Sequence, residues 1–211
     1  MGETKRPVRV MICDDETISR QYCETLLGSD GRYRLIRATD SARYADGYCA
    51  CGYVDMLLMS ALLRKGPNGL DVAAFVKRKF PRVKIVIMTS LLCASLVRRA
   101  RSIGVDAFWF KEPQAMSLPE VLEQVSQGKQ CFPEKIPAVP LGIASSDEFT
   151  PRELDVLQVL AAGRSDVEIA RELAIEPSTV RTHVKHLLEK TGFSSRTELA
   201  VRATQSRLVC P

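Results

Sequence analysis

Four side chains that follow short apolar runs are the ones equipped for chemistry in this chain. Asp14 and Asp15 come just after Val8-Arg9-Val10-Met11-Ile12. Thr89 follows Lys84-Ile85-Val86-Ile87-Met88, and Lys111 follows Ala107-Phe108-Trp109-Phe110. Two adjacent carboxylates can hold a hard cation such as Mg²⁺, and a hydroxyl and an ammonium opposite them can hold phosphoryl oxygens. Singly, each is ordinary, because an Asp-Asp pair commonly marks no more than a turn. A second set lies far along the chain, where Arg181, Thr182 and Lys185 share one side of a helical pattern. The two histidines, His183 and His186, fall inside that same pattern. No complete nucleophile–base set appears, so an enzyme is not expected.

The elements that must position the first set alternate. Strand-like runs at 8–12, 33–36, 56–59, 84–88 and 107–110 are separated by helical patterns at 17–27, 41–49, 70–80, 93–103 and 118–127. Such alternation is the signature of βαβ units and a mostly parallel sheet. Five strands with five helices predict an α/β, flavodoxin-like, doubly wound domain. Its functional groups belong at the carboxyl ends of the strands. Asp14 and Asp15, Thr89 and Lys111 end the first, fourth and fifth strands, and their joint placement is far harder to reach by chance than any one of them.

The second set sits in an all-helical stretch. Thr150-Pro151-Arg152-Glu153 is a capping box, with Phe149 and Leu154 as its hydrophobic staple. Ser165-Asp166-Val167-Glu168 is a second box. Ser195-Arg196-Thr197-Glu198 opens a fourth helix. Between them Pro177 starts a helix whose Val180, Val184, Leu187 and Leu188 form an apolar back, with Arg181, Thr182 and Lys185 in front and Lys190 at its end. Two helices joined by a tight turn, the second cationic in front, make a helix-turn-helix within a four-helix unit.

Composition is ordinary: 211 residues, 45% hydrophobic and 26% charged, which suits one large or two small domains. The net charge of +5 permits an anionic partner. The surplus lies mainly in the first part of the chain, so DNA affinity must rest on local placement of Arg181, Lys185 and Lys190. The first residues lack the apolar run of a signal peptide, and no stretch approaches the ~20 apolar residues of a membrane span. A cytoplasmic protein with no membrane partner is expected. Seven cysteines at irregular spacing, Cys49-x-Cys51 the only close pair, read as thiols of a reducing compartment.

The stretch Phe149-Thr-Pro-Arg-Glu-Leu, with Ala162-Gly-Arg-Ser-Asp-Val-Glu-Ile-Ala-Arg-Glu-Leu and Ser178-Thr-Val-Arg-Thr-His-Val-Lys-His-Leu-Leu-Glu-Lys, resembles the LuxR-type helix-turn-helix from about 149 to 203. That resemblance implies that Arg181, Thr182 and Lys185 face the major groove, with Thr179 and Arg196 on the DNA backbone. It also implies a homodimer reading two half-sites of a double-stranded operator. Residues from about Arg9 to Gln127 resemble the receiver of two-component response regulators. The whole is similar to the NarL/FixJ class: a receiver over 8–127, a linker over 128–147 and a LuxR-type domain over 148–211. The receiver resemblance implies weak or vestigial Mg²⁺ binding at Asp14 and Asp15, no required cofactor, and Phe108 as the switch aromatic. A sensor kinase or another protein partner is a further implication.

One position departs from that family. Where a receiver carries its phosphoacceptor aspartate, at the end of the third strand, this chain has Ser60. Asp55 begins that strand, about 16 Å away if the segment is extended. A serine without an adjacent base cannot do a carboxylate's work. The loop after it carries Arg64-Lys65, a cationic pair able to satisfy Asp14 or Asp15 where a metal otherwise would. The loop differs further in having Arg64 where receivers usually carry proline. Two explanations stand: a naturally degenerate receiver regulated without phosphotransfer, or a response regulator bearing an Asp-to-Ser change at 60. A pseudo-receiver acting mainly through protein–protein contact is the alternative function, and phosphorylation of Ser60 itself is a minor one.

Overall fold

The computed structural model describes residues 6–111 and 116–209. They divide into two compact units, one containing the residues up to Ser90 and Leu96–Glu134, the other Leu91–Ser95 and Lys135 onward. Cys210 lies outside the described residues.

The first unit runs β1 (Val8–Cys13), α1 (Thr17–Gly28), β2 (Tyr33–Thr39), α2 (Ala45–Ala50), β3 (Met56–Ser60), α3 (Gly69–Lys79), β4 (Lys84–Thr89), α4 (Ala94–Ile103), β5 (Ala107–Phe110) and α5 (Leu118–Ser126). The strands form one parallel sheet in the order β2-β1-β3-β4-β5. All five residues of β3, and all but Lys84 of β4, are buried. Helices on both faces explain why these strands read as unbroken apolar runs rather than alternating ones. Strand order reverses between β1 and β3, so the crevice beyond their carboxyl ends is where such a sheet places its functional groups. Asp14, Asp15 and Ser60 stand there.

Two elements differ from the sequence reading. Helix α2 begins at Ala45, four residues later than its apolar pattern suggests. Ser41 N donates to Thr39 Oγ1 at 3.3 Å and Arg43 N to Ser41 Oγ at 3.2 Å, local turns that compete with helix. Strand β2 extends to Thr39, which pairs with Cys13.

The second unit contains a two-stranded hairpin, β6 (Pro140–Leu141) and β7 (Ala144–Ser145), a short 3-10 turn (Ser146–Glu148), and α6 (Pro151–Ala161), α7 (Asp166–Leu173), α8 (Pro177–Thr191) and α9 (Arg196–Gln205). Its core gathers Val139, Leu141, Phe149, Val156, Leu157, Leu160, Ile169, Val180, Leu187, Leu199 and Leu208. The capping boxes at Thr150 and Ser165 form as their sequences require. Ser195 caps α9 by accepting from Glu198 N, while Glu198 reaches back to Ser194.

The segment 128–147, read as linker, is structured. Cys131 forms a bridge to Ala107 beside the sheet, and the hairpin belongs to the helical core through Val139 and Leu141. Gly142, at φ +66°, turns the hairpin against the end of α8. A Cβ there would stand 2.0 Å from Thr191 O, so only glycine fits. Its neighbour Ile143 donates from N to that same oxygen at 3.1 Å. Apolar runs of one or two residues between prolines and glycines are too short to show strand periodicity, which is why the hairpin was not foreseen.

Candidate functional sites

The strand-end crevice of the first unit brings together Asp14, Asp15, Ser60, Thr89 and Lys111. Asp14 is fully buried, Thr89 and Ser60 nearly so. The Lys111 ammonium lies 2.9 Å from Asp14 Oδ1 and 2.7 Å from Oδ2. Ser19 Oγ donates to Oδ2 at 2.6 Å, and Glu16 N to Oδ1 at 3.0 Å. A carboxylate has about four acceptor positions, and protein donors fill all of them at Asp14. Asp15 Oδ2 accepts from Arg64 N at 3.0 Å and Arg64 Nε at 2.9 Å. Burial alone would raise the Asp15 carboxyl. The backbone and side-chain hydrogen bonds from Arg64, with its charge, outweigh that and hold it below the usual carboxylate range.

Ser60 Oγ donates to Leu62 O at 2.9 Å. Its proton is spent on a backbone carbonyl of its own loop, and no carboxylate or histidine takes it as a base would. An unactivated hydroxyl held this way is not a nucleophile for a phosphoryl group. Asp55 serves elsewhere. It accepts from Arg9 N at 3.0 Å, Nε at 2.9 Å and Nη2 at 2.8 Å at the opposite end of the sheet, which fastens the start of β3 to β1. Phe108 is buried, packed edge to face against Phe110 with ring centroids 5.3 Å apart.

These donors do not fit Mg²⁺. That ion demands near-octahedral oxygen ligation and keeps waters around one or two carboxylates. Here Asp14 is saturated, Asp15 holds a guanidinium, and the third ligand position is a hydroxyl turned to Leu62 O. Among the described residues no group of three or more His, Cys, Asp or Glu could hold a metal. Two participants were missed in the sequence. Glu16 takes the Lys111 ammonium at 3.1 Å, and Ser19 completes the shell of Asp14. The run Asp14-Asp15-Glu16, with a serine one helical turn on, was their only signal.

In the second unit the polar face of α8 is built from its back. Val180, Val184, Leu187 and Thr191 are buried, which at 100° per residue turns Ser178, Thr182, Lys185, His186 and Glu189 outward. Thr179, Arg181, Thr182 and Lys185 are all exposed. Thr182 Oγ1 donates to Ser178 O at 3.1 Å, and Lys185 lies 3.6 Å from Glu189. Pro177 occupies the first turn, where its missing N–H costs no intrahelical bond. His183 is partly buried and His186 exposed.

Lys190 does not join this face. It lies nine residues after Arg181, half a revolution round the helix. Its ammonium stands 2.8 Å from Glu153 Oε2 and 3.0 Å from Glu148 O, against the Phe149 ring. Glu153 is buried at 3% exposure. Burial would raise its carboxyl, but Lys190 and the Thr150 backbone and hydroxyl donors together hold it below the ordinary range. Lys190, expected among the DNA contacts, is thus placed off the outward face, with its charge against the α6 capping box. Arg196 is likewise engaged, 2.7 Å from Asp166 and 3.0 Å from Arg164 O, which fixes the start of α9 to the start of α7.

Residues 147–203 match the model of the bacterial regulatory proteins of the luxR family. This stretch is a LuxR-type helix-turn-helix domain. The LuxR-type domain begins in the turn that precedes α6 and ends within α9, so it takes in both capping boxes and the whole outward face of α8. Over the full length the chain is similar to response regulator protein VraR of Staphylococcus aureus, strain Mu3. The two are 27% identical over 207 residues, 96% of this chain and 99% of VraR. Among solved structures it is similar to RcsB of Salmonella enterica serovar Typhimurium bound to promoter rprA in the presence of phosphomimetic BeF3-, at 20% identity and a TM-score of 0.60. That match covers 92% of this chain and 96% of RcsB. A structure of two RcsB dimers bound to two parallel DNAs matches at 19% identity and a TM-score of 0.61, over 94% of this chain and 98% of that one. At these identities the likeness to RcsB is one of fold: a receiver sheet followed by a LuxR-type domain.

Proposed function

We propose that this chain is a dimeric, sequence-specific DNA-binding regulator of transcription, working in the cytoplasm, whose receiver acts without aspartyl phosphorylation. The observation that carries the first half is the outward face of α8. Arg181, Thr182 and Lys185 are exposed there, on a helix whose back is locked into the core of a LuxR-type domain. A helix of that shape enters a major groove, where arginine and lysine read guanine edges and threonine reads either base type. One of the similar RcsB structures holds two RcsB dimers bound to DNA, which supports the same assembly here. That exposed face supports a binding function as the reading of this unit.

The second half rests on Ser60, whose hydroxyl is bonded to Leu62 O. Without a carboxylate no acyl phosphate forms, and the receiver's state is set by whatever binds its conformations differentially. Mg²⁺ binding through Asp14 and Asp15 is weak or vestigial on this reading, and a sensor kinase is not needed to switch the protein.

The test uses duplex DNA selected from a random pool by the full chain. Affinity is measured for the parent and for Ser60→Asp, with and without Mg²⁺ and acetyl phosphate. A parent that binds a defined sequence and ignores the phosphodonor is the expected result. A parent whose affinity changes with acetyl phosphate refutes phosphorylation independence. A chain that selects no sequence, and whose binding shows no salt dependence, refutes the DNA reading.

A further inference from the structure

The loop between β3 and α3 is fastened at Arg64 and Lys65 and closely approached at Gly66. Arg64 gives Asp15 Oδ2 both its backbone N–H and its Nε–H. Lys65 Nζ stands 2.8 Å from Asp40 Oδ2. Gly66, at φ +85°, lies so close to Ser41 that a Cβ would meet its Oγ at 2.7 Å. Asp15 follows β1, and Asp40 and Ser41 follow β2, so these residues lace the loop over the carboxyl ends of both strands. Further anchors are Leu62 O, which accepts from Ser60 Oγ, Asn68 Oδ1, which accepts from Leu70 N at 2.9 Å and caps α3, and Ala61 N, which donates to Met88 O at 2.8 Å.

We propose that Arg64 is the built-in counter-cation of this pocket, tying the β3–α3 loop to the acidic end of β1 where a divalent metal would otherwise bridge them. The misfit of the donor set to Mg²⁺ and the placement of Arg64 are two sides of one arrangement. Lys111 satisfies the inner carboxylate, Arg64 the outer, and Ser60 contributes no charge that would call for more. A guanidinium stays ionised throughout the physiological range and presents its N–H groups in a fixed fork. The tie therefore holds irrespective of metal supply. The Asp15 side chain is 8% exposed and that of Arg64 is 81% exposed, so substituting Arg64 removes a surface group and leaves the core packing intact. The inference concerns the receiver alone and stands or falls independently of DNA binding.

The experiment is Mg²⁺ titration of the full chain, followed by calorimetric binding heat and by the melting temperature of the receiver. It compares the parent, Arg64→Ala, Ser60→Asp and Arg64→Ala/Ser60→Asp, with Lys65→Ala as a control that alters the loop but leaves Asp15 paired. The parent melts at the same temperature with or without millimolar Mg²⁺. Arg64→Ala melts lower in metal-free buffer and recovers on adding Mg²⁺, while Lys65→Ala gains no metal response. Ser60→Asp binds Mg²⁺, and removing Arg64 from it tightens that binding about twofold to fivefold, the range expected for an exposed ion pair. The proposal is overturned if the parent responds to Mg²⁺ as strongly as Arg64→Ala. It is equally overturned if neither Ser60→Asp variant binds the ion, or if both bind it with the same affinity.

Discussion

Replacing Lys190 by methionine separates the two roles a cation on α8 can have. Methionine keeps the length and helix propensity of lysine but removes the ammonium that stands 2.8 Å from Glu153. Glu153 is left with its Thr150 donors and a side chain only 5% exposed. Stranding one partner of a fully buried pair costs about 3–5 kcal/mol. The lysine end is 33% exposed, so water screens part of that loss, and a cost of about 2 kcal/mol is the better expectation. For a unit of this size that lowers the melting temperature by roughly 8–16 °C. The deficit should shrink in acid. In the parent, Glu153 is depressed by its partners, so its stabilisation is present above its ordinary pKa of 4.5 and fades as pH falls through the lower folded value. In Lys190→Met, burial prevails, the carboxyl takes up its proton earlier, and parent and variant converge. Adding Glu153→Gln should recover much of the loss at neutral pH. Arg181→Ala is the counterpart: it leaves the melt unchanged and weakens binding to selected DNA by about 1–3 kcal/mol. Thermal melts and fluorescence-anisotropy binding on the same preparations check both. If Lys190→Met melts like the parent yet loses DNA affinity, then Lys190 is a DNA contact and the assignment drawn from its geometry is wrong.

Two further outcomes test the fold. Ala174, at the turn between α7 and α8, takes φ 52°, a left-handed conformation that costs a non-glycine residue about 1–2 kcal/mol. Ala174→Gly relieves it and gives back part in chain entropy, for a net gain of about 0.5–1 kcal/mol in urea unfolding; a loss of stability would show that the turn is not strained. Asp106 is buried, with Lys77, Lys84 Nζ and Ile85 N as donors. Burial opposes its ionisation, but those donors prevail and hold its carboxyl below 3.8. Its contribution is thus complete above about pH 4 and disappears as pH falls through the depressed value. Asp106→Asn should be markedly destabilised at pH 7, with the difference from the parent narrowing as pH is lowered below 3.8, read by denaturant midpoints; a difference that does not change with pH would contradict this.

What could be read from the residues alone follows the range of the forces involved. The five-stranded sheet was legible because burial on both faces writes continuous apolar runs into β3 and β4. The helices of the LuxR-type domain were legible because Thr150 and Ser165 carry their capping partners three residues on. Both signals are local. The placement of Lys190 required more, because its partner Glu153 is 37 residues away and belongs to another helix's cap. A helical wheel already put Lys190 half a turn from Arg181, and that angle should have outweighed its charge. The hairpin at Pro140–Ser145 was hidden for a different reason. Its specification is one close approach, Gly142 against Thr191 O, and a single glycine in a proline-rich stretch looks the same whether it turns a hairpin or loosens a linker. The pocket lies between these cases. Asp14, Asp15, Thr89 and Lys111 announced themselves by position at strand ends, and Ser60 by breaking the pattern. Only the structure shows that Lys111 and Arg64 divide the two carboxylates between them. Ser60 adds no charge for the pocket to neutralise. With Ser60 uncharged, two basic side chains are enough for Asp14 and Asp15. An aspartate at 60 would add a third carboxylate with no basic side chain assigned to it, and Mg²⁺ is the cation that the Ser60→Asp variant is expected to take up.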